Sequence, residues 1–482
     1  MNNPLSRNEI IKKSTKGTIV SFSSLGIQYI LTFATQIILA RLLMPSDFGA
    51  LAFASMATML FNNIVNTQGD KYIIQCKDKA HENLNNVFTI ELILSIITIL
   101  FVLIIMPRLM NFFNKGSLIV PAQFLTISFI ANPFLKPRAL LERELDVFKS
   151  KLPVIISQFI GGAIAIILAL LGFGLWSLLW WRVSTLLIEA VIIFFIVPYK
   201  PKLSLNKALI KEILTFTWPI FVSSLLVYFY WNIDYYIVGT LLGNTELGYY
   251  WLAFQMSAHF LKAKSALNTV LFPAFSRLTK VEDRIKAFNF LSSATAAIYL
   301  FPAIVIFIFG DIVIPFIFGE EWIKAVKPFQ IFFIVVLIRA IGQNSGPLLY
   351  AYGKTKQDLI LSIANAILIP LFVYPLSIID GIEGAAFGVF LSSVAISYIG
   401  FNLYVKPLTN KGFFYYFGPS LLLLIIVFFQ MGILKFFDDT YLIIKLFFIT
   451  IISMAAYYIL FRTSLSNLYQ KILAFRNGAF NS

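Results

Sequence analysis

Four cations lie in the interior of long apolar segments, where charged side chains are rare: Arg182, Lys262, Lys264 and Arg339. If these segments cross a membrane, a charge facing lipid at mid-bilayer costs about 2.5–3.5 kcal/mol on insertion scales. Such a side chain should therefore face a cavity or a partner. Arginine matches phosphate with a planar bidentate fork, and lysine binds it as a point charge. The four cations are candidate ligands for a phosphate-bearing substrate, with structural ion pairing and snorkelling as the alternatives.

Polar residues accompany these cations at helical spacing. Gln255, His259 and Lys262 recur at i, i+4 and i+7 and form one stripe, whereas Lys264 falls on another face. Tyrosine and tryptophan faces suit sugar rings, which present apolar patches beside hydroxyls. The remaining residues of the predicted substrate cavity, all polar or aromatic residues inside apolar segments, are Gln28, Gln343, Tyr228, Trp231 and Tyr235.

Three titratable residues are candidates to couple transport to a proton or sodium ion. Burial raises a carboxyl pKa toward a useful range, which favours Asp234 and Glu189. His259 titrates near neutrality and belongs to the polar stripe. Each has a simpler interpretation: a helix cap or a hydrogen bond for Asp234 and Glu189, and a hydrogen bond alone for His259. Glu189 could also form a structural ion pair with Arg182 on the same helical face. The sequence predicts no cofactor, no metal site and no catalytic residue, because the two histidines are far apart and no phosphate-cradling loop occurs.

The composition identifies the elements that must hold these residues. The chain has 482 residues, of which 59% are hydrophobic and 13% are charged, and its mean hydropathy is +0.84. Apolar runs of about 18–25 residues, each able to cross a hydrocarbon core as a helix, follow one another closely. We therefore expect an all-α polytopic membrane protein. A membrane glycosyltransferase or polymerase is disfavoured, since such enzymes need a sizeable aqueous loop; no enzymatic activity is predicted.

Proline and glycine joints divide the chain into about fourteen predicted transmembrane helices. Their approximate bounds are 18–43, 48–67, 87–106, 117–135, 153–172, 175–197, 216–242, 246–271, 287–309, 328–350, 358–377, 384–405, 414–434 and 441–461.

Lysine and arginine predict the orientation of these spans. Of the 38 Lys and Arg residues, 27 fall on the side that holds the N-terminus and five on the other side. Positive loops stay inside, so we expect a multi-pass protein of the cytoplasmic membrane with both termini cytoplasmic. The net charge of +15 thus reflects topology and contact with membrane lipids, and no nucleic acid partner is predicted. The basic segment 136–151 is expected at the membrane surface, where it could meet a glycosyltransferase or the incoming lipid.

A repeated stretch predicts internal symmetry. "ARLLMPSDFGALAFA" (40–54) returns 199 positions later as "GTLLGNTELGYYWLA" (239–253). Glycine turns within "LLGFGLWSLLW" and "IDGIEGAAFGVF" form a weaker second match. Six spans separate the copies of the first match, which predicts a parallel repeat. The alternative is that the two stretches are similar only because tight helical hairpins in lipid share such a sequence. The expected domains are an N-lobe (1–200), a C-lobe (201–410) and a C-terminal helix pair with a tail (411–482).

The span count and three motifs carry a family resemblance. The "ARLLMPSDFGALAFA" hairpin, "NIDYYIVGTLLGNTELGYYWLA" and "LFPAFSRL" resemble the bacterial polysaccharide flippases, the Wzx-type exporters of O-antigen, colanic acid or exopolysaccharide units. This group is part of the multidrug/oligosaccharidyl-lipid/polysaccharide exporter superfamily. The resemblance implies alternating access of two lobes, a lipid-linked oligosaccharide substrate on undecaprenyl pyrophosphate, and cation coupling by H⁺ or Na⁺. It also implies glycosyltransferases or a polymerase of the same pathway as partners.

Two other transport functions fit the same resemblance. A multidrug or toxin extruder of the superfamily has fewer cavity cations, because many of its substrates are themselves cationic. A lipid II flippase shares both the fourteen spans and the cationic cavity, so the sequence leaves the glycan open. Outside the cavity, we expect Arg41 and Glu91 to lie near helix ends and to snorkel to the interface.

Overall fold

The described structure, a computed structural model, comprises residues 7–76, 80–278 and 280–434. Every regular element in these ranges is a helix. Eleven of the helical segments described there are long and apolar enough to cross a membrane. The prediction of an all-α polytopic membrane protein is thus confirmed, while the count of fourteen spans stays a prediction.

The difference between eleven and fourteen has three sources. The segment Thr355–Thr409 counts as one candidate span but holds the predicted eleventh and twelfth spans, with a break at Asp380 and Gly381. The predicted eighth span lies in the helix Asn244–Arg277, which is not among the eleven. The predicted fourteenth span lies outside the described residues.

Two compact units, divided between Trp251 and Leu252, hold the described residues. The helices of the first unit are α1 (Arg7–Leu42), α2 (Pro45–Val65), α3 (Gly69–Gln75), α4 (Ala80–Phe112), α5 (Ile119–Leu125), α6 (Ala131–Leu135), α7 (Arg138–Arg143), α8 (Val147–Leu170), α9 (Leu175–Ile196), α10 (Lys207–Leu241) and the start of α11 (Asn244–Arg277). Short 3₁₀ turns at Gly116–Leu118 and Thr126–Ile130 complete the fourth span.

The second unit begins within α11. Its further helices are α12 (Val281–Phe318), α13 (Val326–Gly342), α14 (Ser345–Ala351), α15 (Thr355–Ile399), α16 (Lys406–Thr409) and α17 (Phe413–Leu434). A 3₁₀ turn, Glu320–Ala325, precedes α13, and a π-helical turn, Gly400–Val405, follows α15. The predicted lobes were defined by the sequence repeat, whereas these units are defined by packing. The bounds of the lobes therefore stay a prediction.

The two copies of the repeated stretch meet through a pair of glycines in the first unit. A Cβ atom built on Gly49 of α2 would lie 1.7 Å from the carbonyl oxygen of Asn244. One built on Gly248 of α11 would lie 1.8 Å from the carbonyl oxygen of Pro45. Positions 49 and 248, like 45 and 244, are equivalent under the repeat. The contact is therefore reciprocal, as a two-fold relation requires, and only glycine allows the helices to approach so closely.

The weaker sequence match also has a structural counterpart. Gly174 precedes α9 with φ 52° and ψ −128°, and Gly381 breaks α15 with φ 55° and ψ −135°. A side chain strains this region of backbone space, so both turns require glycine. The two glycine turns that the sequence pairs thus share one backbone conformation.

Candidate functional site

Asp234 is a buried carboxylate of the first unit, with 3% of its surface exposed. The Tyr250 hydroxyl of α11 donates a hydrogen bond to its Oδ2 atom at 2.8 Å. The ring of the neighbouring Tyr235 packs edge-on against Tyr250, with centroids 6.0 Å apart. A residue of the repeated hairpin therefore fixes this candidate coupling group in place. Tyr250 was not predicted as a site residue, although it lies within the repeated stretch.

Arg182 of α9 is exposed and close enough to Tyr235 to interact with it electrostatically. Its expected partner is engaged elsewhere, because Glu189 pairs with Arg138 of α7. An Arg182–Glu189 ion pair is thus not the arrangement found. Arg182, Tyr235 and Asp234 come together in one region of the first unit, and Glu189 belongs to a different contact.

The aromatic candidates of α10 contact different neighbours. The Tyr228 hydroxyl donates to the carbonyl oxygen of Met56 in α2. Trp231 is half-buried and lies against Tyr230, with ring centroids 5.7 Å apart. Gln28 of α1 is also half-buried. The structure therefore ties Tyr228 to α2 and Tyr235 to α11, so these two cavity candidates contact different helices.

A buried polar cluster around Glu91 in the first unit is absent from the sequence predictions. Glu91 is fully buried, and its Oε1 atom accepts hydrogen bonds from Thr67 N at 3.0 Å and Thr67 Oγ1 at 2.7 Å. The Lys136 ammonium lies 3.1 Å from the same oxygen and 3.2 Å from Asp70. The expectation that Glu91 snorkels to the interface is wrong. Its carboxylate is held inside the protein by an ammonium and a threonine.

The basic segment 136–151 was expected to lie at the membrane surface, but part of it is buried in the first unit. Lys136 is 6% exposed, and Ala139 and Leu141 are buried. Burial alone would lower the pKa of Lys136, but Glu91 and Asp70 outweigh it and hold that pKa above its usual value. Asn62 with Asn132, and Asn66 with Lys136, form hydrogen bonds at i, i+4 spacing on both partners. That matched spacing was the available signal for this cluster.

Arg339 of α13 is the most firmly positioned cation among the candidates of the second unit. Its Nε atom donates to Ser393 Oγ of α15 at 3.0 Å. Its guanidinium carbon lies 6.0 Å from the ring centroid of Phe254 in α11, a cation–π distance. Gln343, one turn further along, is half-buried. Arg339 is thereby brought near the polar stripe of α11, which begins at Gln255.

That stripe has the exposure expected from its spacing. Gln255 and His259 are half-buried and Lys262 is exposed, whereas Lys264 is 1% exposed. The Lys264 Nζ atom has no hydrogen-bond partner among the residues that the structure describes. A buried, unpaired ammonium is strongly unfavourable. Because Lys264 is buried, it lies inside the packed part of the unit. Lys262 is exposed and is the lysine of this pair that can contact a ligand directly.

Comparisons with known proteins agree with this architecture. The family of polysaccharide biosynthesis proteins matches residues 38–327. An uncharacterised membrane protein of the cps region of Klebsiella pneumoniae is 25% identical, over 82% of each chain. The lipopolysaccharide biosynthesis protein WzxC of Escherichia coli (strain K12) is 23% identical, over 78% of this chain and 77% of its own.

Two solved structures share the fold. The lipid II flippase MurJ in an inward closed conformation has a TM-score of 0.65 at 14% identity, covering 95% of this chain and 100% of its own. An inward-facing multidrug resistance MATE family transporter of the MOP superfamily has a TM-score of 0.61 at 17% identity, covering 82% of this chain and 99% of its own. The match over more than half of the sequence and the helical fold lead to one conclusion: the chain belongs to the polysaccharide biosynthesis protein family and is a membrane transport protein, not an enzyme.

Proposed function

We propose that this protein is a flippase that moves undecaprenyl-pyrophosphate-linked oligosaccharide units across the cytoplasmic membrane for surface polysaccharide synthesis. The observation that carries the proposal is the position of Arg182 in a chain of this family. Its guanidinium lies on the exposed side of α9 beside Tyr235, and the nearby acid Glu189 is already paired with Arg138. A cation left available inside the membrane suits a pyrophosphate.

Alternating access would let one cavity serve both sides of the membrane. The reciprocal contact between Gly49 and Gly248 joins the two hairpins that the charge distribution assigns to the outer side. Separation of this contact would open the cavity outward, and its re-formation would close it. The headgroup would then cross while the polyprenyl tail stays in lipid.

Cation coupling by H⁺ or Na⁺ forms part of the proposal. Asp234 is the favoured coupling group, because it is buried and bonded to Tyr250 of the repeated hairpin. Glu189 is less suited, since Arg138 neutralises it. His259 is half-buried in the polar stripe and stays a candidate. Both termini would be cytoplasmic, and pathway glycosyltransferases or a polymerase would act beside the protein.

The fold alone does not separate this function from multidrug extrusion or lipid II transport, since proteins of both kinds share it. The family match favours polysaccharide synthesis. The test is to delete the gene and to measure, in the same cells, surface polysaccharide and undecaprenyl-linked oligosaccharide on the cytoplasmic side. Loss of the first with accumulation of the second supports the proposal. Unchanged glycans with altered dye efflux would support the extruder instead.

A further inference from the structure

An apolar pocket opens in the first unit between α2, α4 and α10. Its volume is about 290 Å³, which approaches the lower end of the range of about 300–1,000 Å³ for ligand sites. Phe229 and Tyr236 lie seven positions apart on α10, so the pocket follows that helix for about 10 Å. Phe229 is 49% exposed and marks the open side. Residues of all three segments line it, among them Phe53, Met56, Leu109, Phe113, Phe229 and Tyr236.

Two polar groups of the lining are engaged by backbone carbonyls. The Tyr228 hydroxyl donates to the Met56 carbonyl, and Asn232 Nδ2 donates to the Tyr228 carbonyl at 2.8 Å. Aromatic rings form much of the remaining wall, with Phe113 edge-on to Tyr236 at 5.0 Å. A wall of this kind suits a flexible hydrocarbon chain and offers little to a sugar.

A cation lies beside the end of the pocket that the charge distribution assigns to the outer side. The Lys115 ammonium is 5.4 Å from the ring centroid of Phe53, a lining residue. It also donates to Asn244 Oδ1 at 2.7 Å, beside the reciprocal glycine contact. Burial lowers the pKa of Lys115, so its ammonium is partly stripped of water. Cations are scarce on the predicted outer side, so a lysine beside the pocket is one of few groups there that could bind an anion.

We propose that this pocket is an exit site, in which α2, α4 and α10 hold the first isoprenoid units of the carrier lipid while Lys115 binds its pyrophosphate at the outer surface. The match is one of charge and polarity, since the carrier has a long apolar chain that ends in an anion. The inference rests on the proposed function. It adds to it a binding site on α2, α4 and α10, and a residue that meets the headgroup after it has crossed.

The test uses the full-length protein in lipid nanodiscs with two photoreactive probes, undecaprenyl diphosphate and the uncharged undecaprenol. Ala57, a lining residue, is changed in Ala57→Trp to fill the pocket. Its control is Ile104→Trp on α4, where Ile104 is 66% exposed. Lys115→Ala removes the ammonium, and its control is Arg108→Ala, at an exposed outer cation.

We expect Ala57→Trp to reduce labelling by both probes about tenfold or more. Lys115→Ala should weaken binding of the diphosphate about tenfold, because a charge-assisted phosphate contact is lost. The same variant should leave the binding of undecaprenol unchanged. Both controls should change binding less than about twofold. In the unaltered protein, adducts should map to α2, α4 and α10, a readout that needs no variant to fold.

Other outcomes overturn the proposal in different ways. Diphosphate binding that neither Ala57→Trp nor Lys115→Ala alters would rule out this site and leave the flippase function standing. An equal loss of undecaprenol binding in Lys115→Ala would show a merely structural lysine. Equal displacement by phosphatidylglycerol would identify an ordinary lipid crevice. Failure of the unaltered protein to bind undecaprenyl diphosphate would count against the proposed function itself.

Discussion

At the scale of single residues, the structure separates cations that are available to a ligand from those that are not. Arg182 is exposed on α9, and Arg339 is held by Ser393 and faces Phe254. Lys264 is buried. We expect the two arginines to act on the substrate directly and Lys264 to act through packing.

Replacing Arg182 or Arg339 by alanine should reduce export about tenfold or more while leaving the protein inserted. Loss of a charge-assisted contact to phosphate costs about 1.5–3 kcal/mol, which corresponds to a reduction of about tenfold or more. Surface polysaccharide per unit of membrane-inserted protein is the measurement. Arg41→Ala provides a matched control, because Arg41 is exposed near the end of α1. Export that survives substitution of all four intramembrane cations would refute the cationic cavity.

The Glu91–Lys136 pair should matter for stability instead of transport. Removing one partner of a buried pair costs about 3–5 kcal/mol, because the other charge is left uncompensated. Lys136→Ala should therefore lower the Tm of the purified protein markedly. Lys327→Ala is the control, since the Lys327–Glu383 pair is exposed and such pairs contribute about 0–1 kcal/mol. Equal Tm losses for both variants would contradict the assignment of Glu91 as a buried charge.

These residues also show where sequence reasoning succeeds and where it stops. Helical spacing placed Lys264 away from the face of Gln255, His259 and Lys262, and their exposures agree. Periodicity reports which face of one helix a residue occupies, but it does not report which neighbour that face meets. Arg138 and Glu189 lie 51 residues apart in sequence, and neither residue's own segment indicates the other. That is why the sequence suggested Arg182 as the partner of Glu189.

At the scale of elements, the glycine contact between α2 and α11 is the feature with the clearest consequence. Gly49→Val would place a side chain where a carbonyl oxygen lies 1.7 Å from the built Cβ atom. The two hairpins would be forced apart, so we expect export to fail and the cavity to open outward.

Cysteine accessibility can report this opening. A cysteine introduced at Gln28 in a Cys76→Ser background should react faster with an impermeant thiol reagent when Gly49→Val is present. Gly26→Val is the matched control, because no atom lies within 4 Å of a Cβ atom built there. Normal export by Gly49→Val would show that the close contact is dispensable.

At the scale of the whole molecule, the charge distribution predicts the orientation of every span. In a Cys76→Ser background, a cysteine in place of Ser117 should be labelled by an impermeant reagent in intact cells. A cysteine in place of Asn410 should be labelled only after permeabilisation. Both positions are exposed, so a difference in labelling reports the side of the membrane and not the burial of the residue. The reverse pattern would invert the topology and place both termini outside.

The overall architecture followed from composition because each span must satisfy its own backbone hydrogen bonds in lipid. Continuous apolar runs leave helices as the available solution, and the all-α fold confirms it. The predicted division between spans 358–377 and 384–405 rests on glycine and not on hydropathy, since Gly381 breaks α15 without ending it. Hydropathy responds to a change of composition, and a turn made by one residue hardly alters it.

The buried Glu91–Lys136 contact constrains how the protein is made. Glu91 in α4 leaves the ribosome before Lys136, and chain growth at about 5–20 residues per second separates the two by a few seconds. During that interval the carboxylate has no ammonium to offset its transfer into lipid. The nascent chain must therefore keep Glu91 protonated or hold α4 near the translocon until the fourth span arrives. In the second case, biogenesis of the first unit has a fixed order, in which one helix waits for the charge carried by the next.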